Sequence, residues 1–542
     1  MFALAIVIGI YSYGIFLLGI LGMLYPRVIL VFSVLFIVVT LYLQTRSIGR
    51  ILEIREIWER AKRSRFCAFL LFFLVAQGLI NLVGALGPEH GFDALWYHLT
   101  LPKMYLAYHT IVHFPGGILY YSDMPKLTEM IYVAALALQG ETLAKITHLF
   151  FGVLSVLALY KLARLLLPVA FSLLAAAIFY SNLVVGWESI TAYVDLTRTF
   201  FEILALFGII LYVSRNDKKW LYESAVMLGL AVTTKLLAIG SLLPLCLIIV
   251  WYGIKSKQKR KNIISSTLLY CLIVMIIPMP WFVFSFIHTG SPVYPFFSTV
   301  FEPQIPLFLA NPIKMLHDVY MLFTKAADPI SPLYLMTIPL VFFSFRKYDT
   351  QRKMVVIYSL AALFVWYITP QTGGGRFIVP YLPAFSLVTA FVIEEIHTLR
   401  FSYRGPTISF ANIVIVFVLL ISLLYRGVAN SKYIPVLLGQ ETKAEFLTKH
   451  LNFSFGDFYD TDSYFQKTIT GKDKVLLYGF HNLYYVDFPF IDSSWVQKGN
   501  TFNYIAVQNG ELPDRFRYWS LVYYNQITNV RLYTPQKQQW IY

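Results

Sequence analysis

Two acidic residues stand where apolar stretches of the chain meet polar loops. Asp93 follows an apolar run that ends near residue 87, and Asp195 opens another apolar run. A carboxylate at a membrane surface can meet both a lipid headgroup and a substrate dissolved in water. For Asp93 a structural role is the alternative, because Asp is a favoured N-cap residue and apolar residues follow it.

Two cations occupy similar positions at the ends of apolar stretches. Lys235 lies in a turn between two short apolar runs, and Arg376 follows three consecutive glycines at 373–375. Glycines let a ligand approach the backbone closely, and both ammonium and guanidinium groups bind phosphate. The pattern therefore predicts a phosphate site. The alternatives are a lysine that only reaches the membrane surface and an arginine that only anchors a flexible turn.

Arg198 and Glu202 lie inside the apolar run that Asp195 opens. Ionisable groups at that depth usually face a polar cavity or a partner, so function is the first hypothesis. Because the two residues are four apart on a helix, an internal ion pair is the alternative.

The loop that contains Asp93 is rich in aromatic and histidine residues. Residues 93–108 mix leucines with Trp and Tyr, which is typical of an amphipathic helix at a membrane surface, and a second such segment runs from Tyr121 to Leu138 and includes Glu129. The histidines of the loop are His90, His98, His109 and His113. A divalent metal is an alternative here, but the spacing matches no standard ligand motif and no cofactor is indicated.

The composition shows what must position these residues. Hydrophobic residues make up 58% of the 542 residues, charged residues make up 13%, and the mean hydropathy is +0.63. Such a surface must be solvated by lipid. The three cysteines lie in apolar runs and predict no disulfide framework or zinc site. The net charge of +15 comes from basic residues in short segments between apolar runs, which indicates membrane orientation and no nucleic acid.

A helix needs about 20 mostly apolar residues to cross a bilayer. By that measure the chain has about 13 spans, near 3–24, 28–44, 66–87, 142–164, 169–188, 194–213, 220–234, 236–253, 263–287, 332–346, 353–369, 377–397 and 408–427. The first run lacks a basic start and a second span follows at once, which predicts an uncleaved helix. The predicted fold class is an all-α polytopic membrane protein.

The basic residues predict the orientation of these spans. Lysine and arginine crowd the connections 46–65, 255–261 and 346–353. The positive-inside rule assigns them, with the N-terminus, to the cytoplasm. The loops 88–141 and 288–331 then lie on the other face. We divide the chain into a transmembrane domain, 1–427, and an extracytoplasmic C-terminal domain, 428–542.

The C-terminal tail is more polar than the rest of the chain. It has an amphipathic helical start at Glu441 to Leu451 and a strand-like run from Lys474 to Tyr478 that closes on Gly479. These patterns predict a small α/β domain.

The order of the motifs resembles the GT-C superfamily of integral membrane glycosyltransferases. The similarity is to the bacterial branch related to dolichyl-phosphate-mannose protein mannosyltransferases and to the lipid A aminoarabinose transferase. It covers about residues 60–400 and a matching tail. The residues that carry it are Gly91-Phe92-Asp93, Tyr97-His98, Lys103, Tyr193-Val194-Asp195-Leu196, Thr234-Lys235, Pro280-Trp281, Thr289 to Pro295, Arg376, Pro380 and Pro383.

The resemblance implies a GT-C-like fold and the inverting transfer of a hexose or pentose. The donor would be a polyprenyl-phosphate sugar and the acceptor a glycan, lipid or protein on the extracytoplasmic face of a bacterial inner membrane. Asp93 would act as the general base or orient the acceptor, with Asp195 as the second catalytic acid. Lys235 and Arg376 would hold the donor phosphate, which is also the leaving group. The other expected substrate contacts are Tyr97, His98, Lys103 and Tyr193.

The chain departs from this family in two ways. No Asp-Glu pair stands beside Asp93 as it does in the protein mannosyltransferases, so the type of acceptor does not carry over. Three of the predicted spans precede the motif-bearing loop instead of one. The alternative functions are a transporter or flippase of a lipid-linked glycan and a noncatalytic scaffold. Because transporters distribute ionisable residues about the membrane midplane and these gather on one face, the enzyme is favoured.

Overall fold

Helices make up most of the structure, which is a computed structural model describing residues 1–44, 52–114, 117–298, 312–369, 371–398, 404–535 and 540–541. Arg46 and Arg50 of the first basic connection, and the middle of the loop 288–331, lie outside the described residues.

The helices that precede the turn at Lys235 are α1 (Phe2–Ile20), α2 (Pro26–Gln44), α3 (Leu52–Arg63), α4 (Arg65–Leu86), α5 (Thr100–Tyr108), α6 (Leu127–Leu138), α7 (Glu141–Ala163), α8 (Val169–Tyr180), α9 (Leu183–Glu188), α10 (Asp195–Arg215) and α11 (Lys218–Thr234). Those that follow it are α12 (Leu242–Lys255), α13 (Arg260–Ile276), α14 (Met279–Thr289), α15 (Pro312–Thr324), α16 (Pro332–Thr337), α17 (Val341–Ser344), α18 (Thr350–Ile368), α19 (Leu382–Thr398) and α20 (Arg404–Ser431). The tighter 3₁₀ helices are Gly117–Asp123, Leu236–Ser241, Ile338–Leu340, Phe345–Lys347, Gln371–Tyr381 and Asp514–Phe516, and a π-helical turn spans Ala94–His98.

Several of these helices can cross a membrane. Within the described residues they are Phe2–Ile20, Arg65–Leu86, Glu141–Ala163, Asp195–Arg215, Leu236–Lys255, Gly375–Thr398 and Phe410–Ser431. The pair α13 and α14, bent by 60°, makes an eighth if it acts as one span. The chain is therefore an integral membrane protein. The predicted count of about 13 is not confirmed, because several expected spans are short or broken. The 12 residues of α8, for example, rise only about 18 Å, against a hydrocarbon core of about 30 Å.

The breaks have local causes. Asn182 separates α8 from α9, and its side-chain amide donates to the Ile178 and Phe179 carbonyls at 2.9 and 2.8 Å, which satisfies the end of α8. Pro278 separates α13 from α14 because its ring nitrogen has no hydrogen to continue the helical ladder. An apolar run alone does not reveal either break.

Two helical segments form the centre of the bundle. The spans Asp195–Arg215 and Gly375–Thr398 are almost wholly buried, and α10 packs between α7 and α11. Protein, not lipid, surrounds them, so these segments can carry polar side chains that a lipid-facing helix could not.

The basic connections share one end of the bundle. Arg164 at the end of α7 lies 3.2 Å from Glu56 of α3, and Lys255 at the end of α12 donates to Thr350 at 2.8 Å. Asp93, Lys235 and the C-terminal domain lie at the opposite end. The assignment of the basic end to the cytoplasm stays a prediction.

The loop between α4 and α7 is packed inside the protein. Leu95 belongs to a buried cluster with Tyr433 and Phe446, and Leu101 and Tyr105 pack against α1 and α6. The predicted helix over residues 93–108 is present as α5 (Thr100–Tyr108), and its position at the membrane surface stays a prediction. Its apolar side chains pack against other protein elements, which a sequence pattern cannot distinguish from packing against lipid.

The C-terminal domain is α/β, as the sequence predicts. Its helices are α21 (Ile434–Leu437), α22 (Lys443–His450) and α23 (Tyr464–Thr468), and its strands are β1 (Val475–Tyr478), β2 (Phe490–Asp492), β3 (Thr501–Phe502), β4 (Tyr504–Gln508), β5 (Ser520–Asn525), β6 (Val530–Thr534) and β7 (Trp540–Ile541). Five strands form a sheet in the order β2-β1-β4-β6-β5, and β3 pairs with β7. β1 is parallel to β2 and to β4, whereas β6 is antiparallel to its neighbours. A capping box between Thr442 and Glu445 starts α22. The preceding α20 continues to Ser431, beyond the predicted domain boundary.

Candidate active site

Four charged residues from four separate segments meet in one cluster. Arg376 Nη1 lies 2.6 Å from Asp93 Oδ2, and Arg376 Nε lies 3.7 Å from Asp195 Oδ2. Lys235 Nζ donates to the two oxygens of Asp195 at 2.7 and 3.0 Å. The cluster combines two carboxylates with two cations, so its charges balance.

Element ends position these four side chains. Asp195 is the first residue of α10, where the helix dipole favours a negative charge. Lys235 ends α11 with an extended backbone that turns the chain into the 3₁₀ helix Leu236–Ser241. Arg376 lies within the 3₁₀ helix Gln371–Tyr381, and Asp93 precedes the π-helical turn.

Asp93 does not act as a helix cap. Its side chain makes no capping bond and instead accepts a hydrogen bond from the Tyr97 hydroxyl at 3.1 Å beside Arg376. The Asp93 amide donates to the Tyr193 hydroxyl at 3.0 Å, which fixes the backbone. Burial alone would raise the pKa of the Asp93 carboxyl, but the charges of Arg376 and then of His98 act against it, and the pKa lies below its usual value.

Asp195 lies behind the two cations. It is fully buried, and its contacts with Lys235 and Arg376 hold the cations side by side. It does not line the cavity that the other three border, and its role as second catalytic acid stays a prediction.

A cavity of about 510 Å³ opens beside the cluster. Six of the eight predicted site residues line it: Asp93, Tyr97, His98, Tyr193, Lys235 and Arg376. The Arg376 guanidinium lies over the Tyr193 ring at 4.9 Å, and the Lys235 ammonium lies over the Phe377 ring at 4.8 Å. The cavity therefore presents three cations, Lys126, Lys235 and Arg376, and two carboxylates, Asp93 and Glu129, among aromatic walls.

Lys103 lies away from this cavity. Its ammonium donates to the Tyr484 and Val486 carbonyls at 2.6 and 2.9 Å and to the Asp487 carboxylate at 2.5 Å. It joins the loop before α6 to the C-terminal domain.

His98 and Glu129 form a second polar group at the cavity, and the sequence does not predict that these two residues meet. His98 Nδ1 lies 2.8 Å from Glu129 Oε1, and both side chains are buried. His98 Nε2 and Glu129 Oε2 have no protein partner, which at a cavity wall suits a ligand or a water. Lys126 is also buried there and donates to the Tyr121 carbonyl. The feature of the sequence that could have indicated this group is the pair of charged residues Lys126 and Glu129, three positions apart at the start of an apolar helix.

The Arg198 and Glu202 side chains form the internal ion pair that was the structural alternative. Arg198 Nε lies 2.6 Å from Glu202 Oε1, and Ser241 donates to Glu202 Oε2 at 2.6 Å. Arg198 also donates to the Tyr381 hydroxyl at 3.0 Å. This buried clamp ties α10 to the two 3₁₀ helices that present Lys235 and Arg376.

The four histidines of the first loop have separate partners. His90 contacts Lys432, His109 contacts the Leu24 carbonyl, and His113 contacts Asp123. Among the residues that the structure describes, no three His, Cys, Asp or Glu side chains are grouped to hold a metal ion.

Comparison with known proteins gives one family match. The model of the dolichyl-phosphate-mannose-protein mannosyltransferase family matches residues 130–283, a segment that includes Asp195 and Lys235. A comparison with curated protein sequences finds no match.

Two solved structures of ArnT from Cupriavidus metallidurans are similar to this chain. The apo structure superposes with a TM-score of 0.58 at 13% identity and covers 87% of this chain and 98% of that one. The structure bound to undecaprenyl phosphate gives a TM-score of 0.51 at 13% identity and covers 86% and 98%. At this identity the likeness concerns the fold. The chain thus has the fold of ArnT and resembles the GT-C superfamily of membrane glycosyltransferases, as its motifs predict.

Proposed function

We propose that the protein is a membrane glycosyltransferase that moves a sugar from a polyprenyl-phosphate donor to an acceptor hydroxyl on the extracytoplasmic face. The observation that carries this proposal is the meeting of Asp93, Lys235 and Arg376 at one cavity. The mannosyltransferase family match and the ArnT fold support it, and one of the ArnT structures holds undecaprenyl phosphate.

The two cations suit the donor phosphate. The phosphodiester of the donor carries one negative charge, and the phosphate gains a second when the sugar leaves. Lys235 and Arg376 therefore stabilise the departing phosphate more strongly than the bound donor, which lowers the barrier. Asp195 keeps these cations together despite their mutual repulsion.

In this proposal Asp93 receives the proton. The acceptor oxygen forms a bond to C1 of the sugar while the bond from C1 to the phosphate oxygen breaks, and the hydroxyl proton passes to Asp93. A single displacement of this kind inverts the configuration at C1. The phosphate and Asp93 compete for the same guanidinium. As Arg376 turns to the phosphate, the pKa of Asp93 rises and the carboxylate becomes a better base.

The variant Asp93→Asn separates binding from chemistry. We expect sugar transfer to fall by about a hundredfold or more, because the proton acceptor is lost. Binding of undecaprenyl phosphate should stay the same or become tighter, because Arg376 loses its carboxylate competitor. Transfer is measured with the full chain in proteoliposomes supplied with polyprenyl-phosphate sugars, and binding with undecaprenyl phosphate itself.

Asp514→Asn is the matched control, since Asp514 is exposed in the C-terminal domain. It should change neither quantity. Full transfer by Asp93→Asn would contradict the assigned role. Passage of the lipid-linked sugar across the membrane with no transfer to any acceptor would instead support the flippase.

A further inference from the structure

Aromatic rings of the C-terminal domain contact aromatic rings that line the cavity beside Asp93. We call this group the aromatic platform; it consists of Phe92, Trp96, Tyr120, Tyr121, Phe455 and His481. The ring centroids of Phe92 and Phe455 are 5.0 Å apart, and those of Trp96 and His481 are 4.6 Å apart. The first loop and the C-terminal domain thus build it jointly.

The platform is open to a ligand. Phe455 is 54% exposed, and the other five side chains are partly exposed. The four rings of the first loop also line the cavity that holds Asp93 and Arg376. Contiguous exposed apolar surface is unfavourable in water and marks a binding surface. Because Phe92 and Asp93 both line this cavity, a ligand on the Phe92 ring shares the cavity with the carboxylate.

The C-terminal domain presents its side of the platform from a place where α/β sheets bind ligands. His481 follows β1, the strand that has β2 on one side and β4 on the other. After β1 the chain forms β2 on one side of β1 and later forms β4 on the other side. The order of strands therefore reverses direction at β1. In open α/β sheets, ligands bind outside the carboxyl ends of parallel strands at such a switch.

Backbone contacts hold this side of the platform in place. The His481 amide donates to the Gly456 carbonyl at 2.9 Å, which fixes the turn that carries Phe455. Gly479 has a φ of +79°, and a Cβ there would lie 2.1 Å from the Gln508 carbonyl oxygen at the end of β4. Only glycine permits so close an approach, and the loop after β1 is thereby pressed against β4. The two rings are therefore positioned before a ligand arrives.

We propose that the aromatic platform binds the acceptor and that this acceptor is a carbohydrate. The proposal rests on the glycosyltransferase function and names its second substrate. A sugar ring has an apolar face of C–H groups that packs on aromatic rings and a rim of hydroxyl groups. His481 Nδ1 bonds to Asn482 Oδ1 at 2.9 Å, which leaves its Nε2 facing away from that bond as a hydrogen-bond acceptor.

A peptide acceptor fits these features less well. Extended peptides are commonly bound along strand edges through their backbone groups, with pockets for alternate side chains. The platform instead offers the faces of aromatic rings, with polar atoms at the ring edges. It lies beyond the ends of strands and not along a strand edge. The test must therefore distinguish binding of a peptide from binding of a carbohydrate.

The test uses saturation-transfer NMR on the full chain in detergent micelles. The probes are the neutral disaccharides chitobiose and cellobiose, and a serine-containing decapeptide. We expect at least one disaccharide to bind the wild-type protein and to bind about tenfold more weakly to Phe455→Ala. Because Phe455 is largely exposed, we expect its truncation to leave the fold intact, and Phe455→Tyr should restore binding.

Tyr518→Ala is the matched control, because Tyr518 is 68% exposed in the same domain and lies outside the platform. It should bind the disaccharide as the wild type does. Undecaprenyl phosphate should bind all these variants equally. Equal disaccharide binding by Phe455→Ala and Tyr518→Ala overturns the proposal. The proposal also fails if the wild-type protein binds no disaccharide, or if Phe455→Ala loses binding of the peptide and not of a disaccharide. Failure of the glycosyltransferase function appears separately, in the Asp93→Asn and undecaprenyl phosphate experiments.

Discussion

At the scale of single residues, the structure separates the two lysines among the predicted site residues. Lys235 reaches the charged cluster and binds Asp195, whereas Lys103 binds two carbonyls and a carboxylate of the C-terminal domain. Of the two, only Lys235 contacts the charged cluster.

Replacing each lysine with methionine tests this assignment. Lys235→Met should weaken the binding of undecaprenyl phosphate by about tenfold to a hundredfold, because a charge-assisted bond is lost and Asp195 keeps only Arg376 as a partner. Lys103→Met should leave that binding unchanged. Equal losses in the two variants, measured on the purified full chain, would show that Lys235 has no particular contact with the phosphate.

The charged residues of the candidate site could be found from the sequence, but their contacts with one another and their burial could not. Asp93, Asp195, Lys235 and Arg376 stand out because an ionisable residue at the end of an apolar run is conspicuous. The burial of Asp195 behind its two cations depends on three segments that are far apart in the chain. The pairing of His98 with Glu129 also needs the fold, since 31 residues separate them.

At the scale of elements, the buried clamp of Arg198 and Glu202 supports the segments that carry the site. It joins α10 to the 3₁₀ helices that contain Ser241 and Tyr381, and these helices also present Lys235 and Arg376. The clamp lies in the protein interior, where a charge without a partner is costly.

Glu202→Gln should therefore destabilise the protein strongly. Removing one partner of a buried pair typically costs about 3–5 kcal/mol, because the remaining charge stays buried. The matched control is Glu59→Gln, which breaks the exposed pair with Lys62 and should cost at most about 1 kcal/mol. Thermal unfolding of both variants in detergent micelles measures the difference. A similar midpoint for both would mean that the buried pair does not support α10.

The helical elements were largely predictable, whereas their continuity was not. Each predicted span coincides with a helix or with consecutive helices, because long apolar runs specify helices in a membrane. The break at Asn182 depends on one side-chain amide, and that at Pro278 depends on one missing N–H. Such local effects interrupt a run without changing its hydropathy.

At the scale of the whole molecule, the C-terminal domain is joined to the loop that carries Asp93. The Tyr485 hydroxyl donates to the Glu89 carbonyl at 2.7 Å, and Lys443 lies 2.8 Å from Glu141 at the start of α7. Lys103 adds its own bonds to the domain. The domain is thus fixed against the site through several polar contacts.

Combining Lys103→Met with Tyr485→Phe should loosen this attachment. We expect faster hydrogen exchange at the junction and weaker disaccharide binding, because Phe455 and His481 move away from the rings of the first loop. Undecaprenyl phosphate binding should persist. Tyr518→Phe serves as the control, and unchanged exchange in the double variant would mean that apolar packing alone holds the domain.

The almost complete burial of α10 also constrains how the protein is made. This helix begins at Asp195 and carries Arg198 and Glu202 into the bilayer, where an unpaired charge costs about 2.5–3.5 kcal/mol even on insertion scales. Glu202 neutralises Arg198 within the helix, but the partners of Asp195 are Lys235 and Arg376, which the ribosome adds later. We therefore expect α10 to be held beside neighbouring helices during synthesis, and to settle only after residue 376 has emerged.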